Sequence, residues 1–357
     1  MLHFNAVLLF LILLLSGPQE KPACKGIDLP EKALITQWLD ERHVPLAGIG
    51  IIEQGKLASV RFITETGNKG IPSQNTFFNV ASLTKPVVEM LTLKLVDMGK
   101  WNLDEPLANY WIDLDINSSP YLYDLTTRHV ITHQSGFANW RSEEADKKLQ
   151  FHFEPGTDRK YSGEGLEYLR RALEIKFGEG IDTLADSLIF SPLGMSNTGF
   201  YWSEKFDEKD FATPHNQKGE AYPLKKWYQA NAADLLLSTV GDYTNFGAWV
   251  MEGMGLSDSL FREMITPQPA GDKGIYLPFG DRVSLGLGWM VIQDLPNDEY
   301  VLMHTGKDPG VNTIMMLLPA SKRGIVIFTN GDNGKEIYTS IIKHSLDIGE
   351  NIFQRLE

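Results

Sequence analysis

The feature that most limits how this chain can fold is the way its strand-forming segments are split between its two ends. Four strand-length apolar runs, SLGLGWMVI, YVLMHTG, TIMMLLP and GIVIFTN, follow one another between residues 284 and 330, joined by turn residues such as Asp294-Leu295-Pro296-Asn297. Two more, LAGIGIIE and LASVRFIT, lie near the start, separated by Gln54-Gly55-Lys56. The closing strands need this opening hairpin to complete a sheet, so the chain ends must meet. Residues 24–100 and 281–357 are therefore read as one α/β domain. The stretch 101–280 mixes short helical patterns with loops rich in Pro, Gly, Asn and aromatics, without repeats, and reads as one mainly helical inserted domain. Helices are expected from Pro30, with Leu34, Ile35, Trp38 and Leu39 on one face, from Ser82 to Met98 before the stop at Gly99, and over about 335–347.

Composition narrows the function. Of 357 residues, 43% are hydrophobic and 22% charged, which excludes disordered and fibrous readings. With 33 Lys and Arg against 46 Asp and Glu, the net charge of −13 disfavours a nucleic-acid partner. The single cysteine, Cys24, allows neither an intrachain disulfide nor a thiolate metal cage. Residues 6–15 (AVLLFLILLL) are too short to span a bilayer but match a signal-peptide core, so residues 1–23 are expected to be removed and the protein exported, periplasmic or secreted. The start MLHFN lacks the usual basic residue. Ala23-Cys24 leaves room for a lipid anchor at Cys24, the one membrane contact expected, although Lys21 and Pro22 fit a lipoprotein box poorly.

Ser82 and Lys85 (NVASLTKP) lie three apart at a helix start, so their side chains point the same way and the Ser82 amide is among the unpaired donors of the first turn. A serine is a weak nucleophile until a base takes its proton, and a buried lysine can be that base. The spacing alone is weak, because Ser340-Ile341-Ile342-Lys343 repeats it in an ordinary amphipathic segment. What sets Ser82 apart is Tyr161-Ser162-Gly163, within FEPGTDRKYSGEG, and His304-Thr305-Gly306 downstream.

In that order the three elements resemble the S-x-x-K, Y-x-N and K-T-G motifs of the serine β-lactamases and penicillin-binding peptidases, with H-T-G as a third-motif variant. The branch most resembled holds class C β-lactamases, D-stereospecific peptidases and family VIII esterases. LTTRHVITHQSGF at 125–137, PGT at 155–157, PLGMSNTGF at 192–200, LLSTVGDYTNF at 236–246 and HTGKDPGVNT at 304–313 match it too, so the likeness covers nearly all of residues 30–340. It implies an α+β fold, an antiparallel sheet flanked by helices with the cleft at the inserted domain. It also implies a serine hydrolase forming an acyl-enzyme on a small ester or a D-amino-acid-type amide, or short peptide, without a cofactor. Ser82 would be the nucleophile, and Lys85 and Tyr161 would share proton transfer. The amides of Ser82 and Lys307 would hold the oxyanion, and His304, with Thr305 and Gly306, would line the cleft from an edge strand, its imidazole donating to a substrate carboxylate or supporting the Tyr161 hydroxyl.

One departure is informative. Gly163 stands where the family's Y-x-N motif has the Asn that orients an amide carbonyl, worth about 0.5–1.5 kcal/mol net, so weight shifts toward esters. Glu164 or Gln134 could replace that contact. A β-lactamase or DD-carboxypeptidase proper remains the alternative, and an envelope sensor that acylates without turnover is the alternative of another class; the intact Tyr161 favours turnover. His129 and His133 (HVITH) have the spacing of a zinc helix, but Val130 replaces the Glu of H-E-x-x-H, so no metal is expected. No G-x-S-x-G elbow occurs. Trp140, Trp202, Trp227 and Tyr228 are read as packing residues before groove walls.

Overall fold

The structure is a computed structural model describing residues 25–68, 70–270 and 283–356. The expected signal peptide and Cys24 lie outside the described residues. The opening hairpin forms as read: β1 (Leu46–Glu53) and β2 (Lys56–Thr64) pair antiparallel with Glu53 opposite Lys56. Gln54 and Gly55 both have positive φ, 53° and 75°, the two-residue turn whose twist suits a hairpin. Two strands of three residues each, β3 (Phe77–Asn79) and β4 (Leu237–Thr239), pair with each other and were not foreseen. The closing runs give β5 (Ser284–Leu285), β6 (Met290–Leu295), β7 (Glu299–Asp308), β8 (Val311–Leu318) and β9 (Arg323–Thr329).

The main sheet has the order β2-β1-β9-β8-β7-β6-β5, with every neighbouring pair antiparallel. β1 pairs with β9 from Ala47–Thr329 to Ile52–Gly324, so the two chain ends join inside the sheet. β1, β8 and β9 are buried on both faces, which explains their near-continuous apolar sequences. On one face Ile49, Ile51, Ile325 and Ile327 pack beneath helices Lys32–Arg42, Gly334–Ser345 and Gly349–Leu356 through Ile35, Leu39, Ile341 and Ile352. On the other face Ile52, Met315, Val326 and Phe328 meet helices Thr84–Asp97 and Val240–Met251. Cutting one of these fully buried isoleucines to alanine costs about 2–5 kcal/mol.

One expectation needs correction. The segment 101–280 does not stay apart from the sheet, because its helix Val240–Met251 lies directly on β1, β2 and β9. Val240, Tyr243, Phe246 and Val250 are all fully buried, and an apolar helix face does not reveal in sequence which layer it covers. The expected closing helix over 335–347 forms as Gly334–Ser345, and a further helix, Gly349–Leu356, follows after Leu346 leaves the first in an extended conformation.

Candidate active site

The turn carrying Ser82 is built where β3 runs into the helix Thr84–Asp97. Ser82 sits in a single 3-10 turn, Ala81–Leu83, rather than inside the helix where the sequence put it. Side chains three apart eclipse in this tighter geometry, which brings Lys85 Nζ 3.0 Å from Ser82 Oγ. Lys85 is almost wholly buried and also donates to the Ala233 carbonyl at 2.7 Å. Ala81 has a φ of 50°, a left-handed conformation that costs about 1–3 kcal/mol unless the surroundings enforce it. They do so from several sides. The Ala81 amide donates to Asn79 Oδ1, the Thr84 hydroxyl donates to Ala81 O, and the Val80 amide donates to Leu236 O. The Thr313 hydroxyl of β8 donates to Val80 O, and Asn79 Nδ2 reaches Asp308 at the end of β7.

Tyr161 arrives from the other wall. It precedes Ser162, the N-cap of helix Gly163–Phe177, whose hydroxyl accepts from the Gly165 amide and donates to Ala138 O. This places the Tyr161 ring centroid 4.6 Å from Lys85 Nζ. His133 lies against that ring, 4.4 Å between centroids, and its Nδ1 accepts from the Ser162 amide. Burial, then the Lys85 charge, holds His133 neutral, well below the ordinary histidine range. The zinc-like pair is thereby dissolved: His129 belongs to helix Thr127–Ile131 and bonds the Asp124 carbonyl, while His133 lies beyond the helix end with a φ of 56°.

Gly163 is occupied from outside. A Cβ there would stand 2.7 Å from Cη2 of Trp140, so the indole fills the start of the missing side chain. The Gly163 amide donates to both the backbone and side-chain oxygens of Asn139, which lines the cleft. Glu164 and Gln134 are not the substitutes expected. Glu164 accepts from the Arg141 amide and guanidinium, and Gln134 donates to Thr132 Oγ1. Trp202 packs with Phe77, Phe206 and Phe211, Trp227 packs on the same group, and Tyr228 is exposed, so none of these three lines the cleft.

β7 supplies the opposite rim. It is not an edge strand, since β6 flanks it, but β6 pairs no further than Met303, leaving the stretch 304–308 unpaired on that side. His304, Thr305 and Lys307 line the cleft there. Burial and Lys85 push His304 down to about 3, and its Nδ1–H donates to Thr305 O, so its Nε2 is left as an acceptor. Support for a hydroxyl suits that tautomer; donation to a substrate carboxylate does not. Gly306 packs its backbone on the Ser82 turn, with an added Cβ 2.4 Å from Val80 O and 3.1 Å from the Ser82 amide nitrogen. The cleft so enclosed has a volume of about 740 Å³.

Four residues escaped the sequence reading. Asn139 is one. Arg159, also lining the cleft, is buried, donates from Nη2 to Gln268 O and leaves Nε and Nη1 without a partner among the described residues; burial alone brings its guanidinium down to about 10. Asp234, beside Ala233, is raised by burial and by Asp308. Glu89 lies wholly buried one turn beyond Lys85. No motif marks any of them, and only the fold brings Asn139 and Arg159 to the cleft that Ser82 lines.

A seven-stranded antiparallel sheet between helical layers, with a Ser-x-x-Lys turn opposite a Tyr loop, is the architecture of the serine β-lactamases and penicillin-binding proteins. The chain belongs to the Beta-lactamase family, whose model matches residues 32–346. It is 23% identical over 296 residues to a penicillin-binding protein of Bacillus subtilis (strain 168), covering 75% of this chain and 64% of that protein. It is 28% identical over 183 residues to esterase EstB of Burkholderia gladioli, covering 43% and 44%. These matches span less than two thirds of either relative. Among solved structures it superposes on an octameric penicillin-binding protein homologue from Pyrococcus abyssi, with a TM-score of 0.71, 20% identity and coverage of 90% and 80%. It also superposes on the D-amino acid amidase of Ochrobactrum anthropi SV3, with a TM-score of 0.69, 21% identity and coverage of 91% and 96%. Among the described residues no helix is long and apolar enough to cross a membrane.

Proposed function

We propose that the protein is an exported serine hydrolase that works through an acyl-enzyme on a small ester or a D-amino-acid-type amide. The observation that carries this reading is the 3.0 Å hydrogen bond from Lys85 to Ser82, made in a cleft also lined by Tyr161. Ser82 Oγ attacks the carbonyl carbon as its proton passes to Lys85, and the amides of Ser82 and Lys307 take the negative charge on oxygen. Collapse expels the leaving group, protonated through Lys85 and Tyr161. Water then attacks the acyl-enzyme, giving its proton to the same pair and releasing the acid. The bare Gly163 favours esters, and the relatives include an esterase and a D-amino acid amidase.

A second reading, a β-lactamase or DD-carboxypeptidase, draws on Arg159, whose buried Nε and Nη1, without a partner among the described residues, would suit a substrate carboxylate. Intact-mass detection of adducts with a fluorophosphonate and a penicillin, beside a hydrolysis panel of short esters, D-amino-acid amides and a chromogenic cephalosporin, separates the two. A Ser82-dependent adduct with turnover of esters or D-amides supports the first. A chain that forms no adduct and hydrolyses nothing in the panel overturns both.

A further inference from the structure

Trp140 is fastened on both sides to the segment it covers. The Gly163 and Glu164 amides donate to the Asn139 carbonyl before it, and the Arg141 amide and guanidinium after it donate to the Glu164 carboxylate. The outer edge of the half-buried indole is thereby laid on the bare backbone of Gly163, where Cη2, Cζ2 and Cζ3 would stand 2.7, 2.9 and 3.0 Å from an added Cβ. Trp140 also lines a second hollow, of about 380 Å³, with Trp111, Tyr168, Arg141, Glu164 and Asn231. Arg141 is met there by Asp113 and Glu164, and Glu167 by Arg170, so these charges do not call for an ion.

Three stretches of chain run from the cleft to this hollow within a few residues. Asn139 lines the cleft and Trp140 the hollow; Tyr161 lines the cleft and Glu164 the hollow. On the third side Asn231, in the hollow, accepts the Ala233 and Asp234 amides, while the Ala233 carbonyl accepts from Lys85. Three residues span at most about 10 Å, so the two spaces are neighbours, with the indole edge closing on Gly163 between them. We infer that Trp140 is a specificity-determining residue that ends the cleft on the Tyr161–Gly163 side: its indole shuts the hollow off from Ser82, so that the substrate arm on that side must be short. The inference rests on the proposed function and deepens it, narrowing the substrate class to carbonyl compounds that are compact on one side of the carbonyl.

Two ester series read the two sides of the carbonyl: p-nitrophenyl esters with acyl chains of two to eight carbons, and acetates of alcohols of the same lengths. kcat/KM is measured for wild type, Trp140→Ala and Trp140→Leu, each checked by a thermal melt. In one series wild type should fall by about tenfold or more from four carbons to eight, and Trp140→Ala should restore that loss, since each methylene taken from water is worth about fourfold. Trp140→Leu should lie between the two, and it covers the case in which the alanine variant fails to fold. A ring that serves only to support the Tyr161 loop would, when removed, slow all chain lengths alike. Length ratios unchanged in both series in a folded variant therefore overturn the inference, as does a wild type that cleaves eight-carbon chains as fast as four-carbon ones in both. A wild type that hydrolyses no ester of either series overturns it too. Whether Ser82 then still forms a fluorophosphonate adduct, with Ser82→Ala as the blank, tells whether the proposed function falls with it.

Discussion

Replacing Gly306 by alanine tests whether β7 and the Ser82 turn act as one rigid unit. The new methyl carbon would sit 2.4 Å from the Val80 carbonyl oxygen and 2.4 Å from Thr313 Oγ1, where ordinary contact begins at 3.4 Å. Thr313 can rotate away, but Val80 O is backbone in a turn held on three sides, so strand and turn must part by about 1 Å. A displacement of that size between reacting groups lowers rate by about 10²-fold, near 2.7 kcal/mol of activation free energy. The stability cost of such overpacking is about 1–3 kcal/mol, small enough to leave a folded protein. The assay pairs the fluorophosphonate labelling rate with a thermal melt, and Gly324→Ala in β9 serves as control. There the added carbon meets mainly the flexible ends of Ile52 and Leu317 at 3.1 Å, far from Ser82. Gly306→Ala should label about 100-fold more slowly and Gly324→Ala at nearly the wild-type rate, with melting losses of similar size. If Gly306→Ala labels within threefold of wild type, the two elements do not register the site.

Ser82→Ala should abolish labelling while Ser340→Ala leaves it intact, because Lys343 is ion-paired to Glu350 and cannot serve Ser340; mass spectrometry of the adduct decides. Lys85→Ala and Tyr161→Phe should each lower turnover by about 10²-fold or more, and the double variant by less than the product; full multiplicativity would separate them as independent catalysts. Gly163→Asn should raise D-amide over ester hydrolysis only when combined with Trp140→Ala, since the indole occupies the added side chain's place; a single Gly163→Asn variant that folds normally and shifts the ratio refutes this steric reading. His304 is neutral in the fold down to about pH 3 but takes a proton near pH 6.5 when unfolded, so its contribution to stability is present above about 6.5 and is lost as pH falls toward 3. Melting temperature should fall across that window, the share of His304 being at most about 1.4 kcal/mol per pH unit beside that of His133, so that His304→Gln reduces the slope without abolishing it.

The sheet was legible because its strands are long and apolar on both sides, and because four runs at one end could not close without two at the other. β3 and β4 were not, since three residues carry no periodicity, although they aim the turn that holds Ser82. Ser82, Lys85 and Tyr161 were found through motif order, and the structure brings them together; their roles rest on the proposal. Asn139, Arg159 and Glu89 stayed hidden because each gains its meaning from a neighbour distant in sequence or from burial. The edge-strand reading of His304 holds only locally: β6 and β5 lie outside β7 in the sheet, but pairing with β6 stops at Met303 and leaves His304 on an unpaired rim, a stop that no propensity records.

The joining of β1 to β9 has a consequence in time. The turn bearing Ser82 is made early, yet the strand that rims it, the β8 hydroxyl that braces it and the β9 strand that closes the sheet all lie more than 200 residues later in the chain. Pairings at such separation must overcome a large loop-closure entropy before any contact rewards it, which makes them among the slowest steps of folding. A chain emerging from synthesis therefore carries its serine long before it carries a cleft, and reactivity at Ser82 would arrive late and in one step. On the proposed reading of an exported hydrolase, that order keeps Ser82 idle until the whole chain has reached the place where it folds.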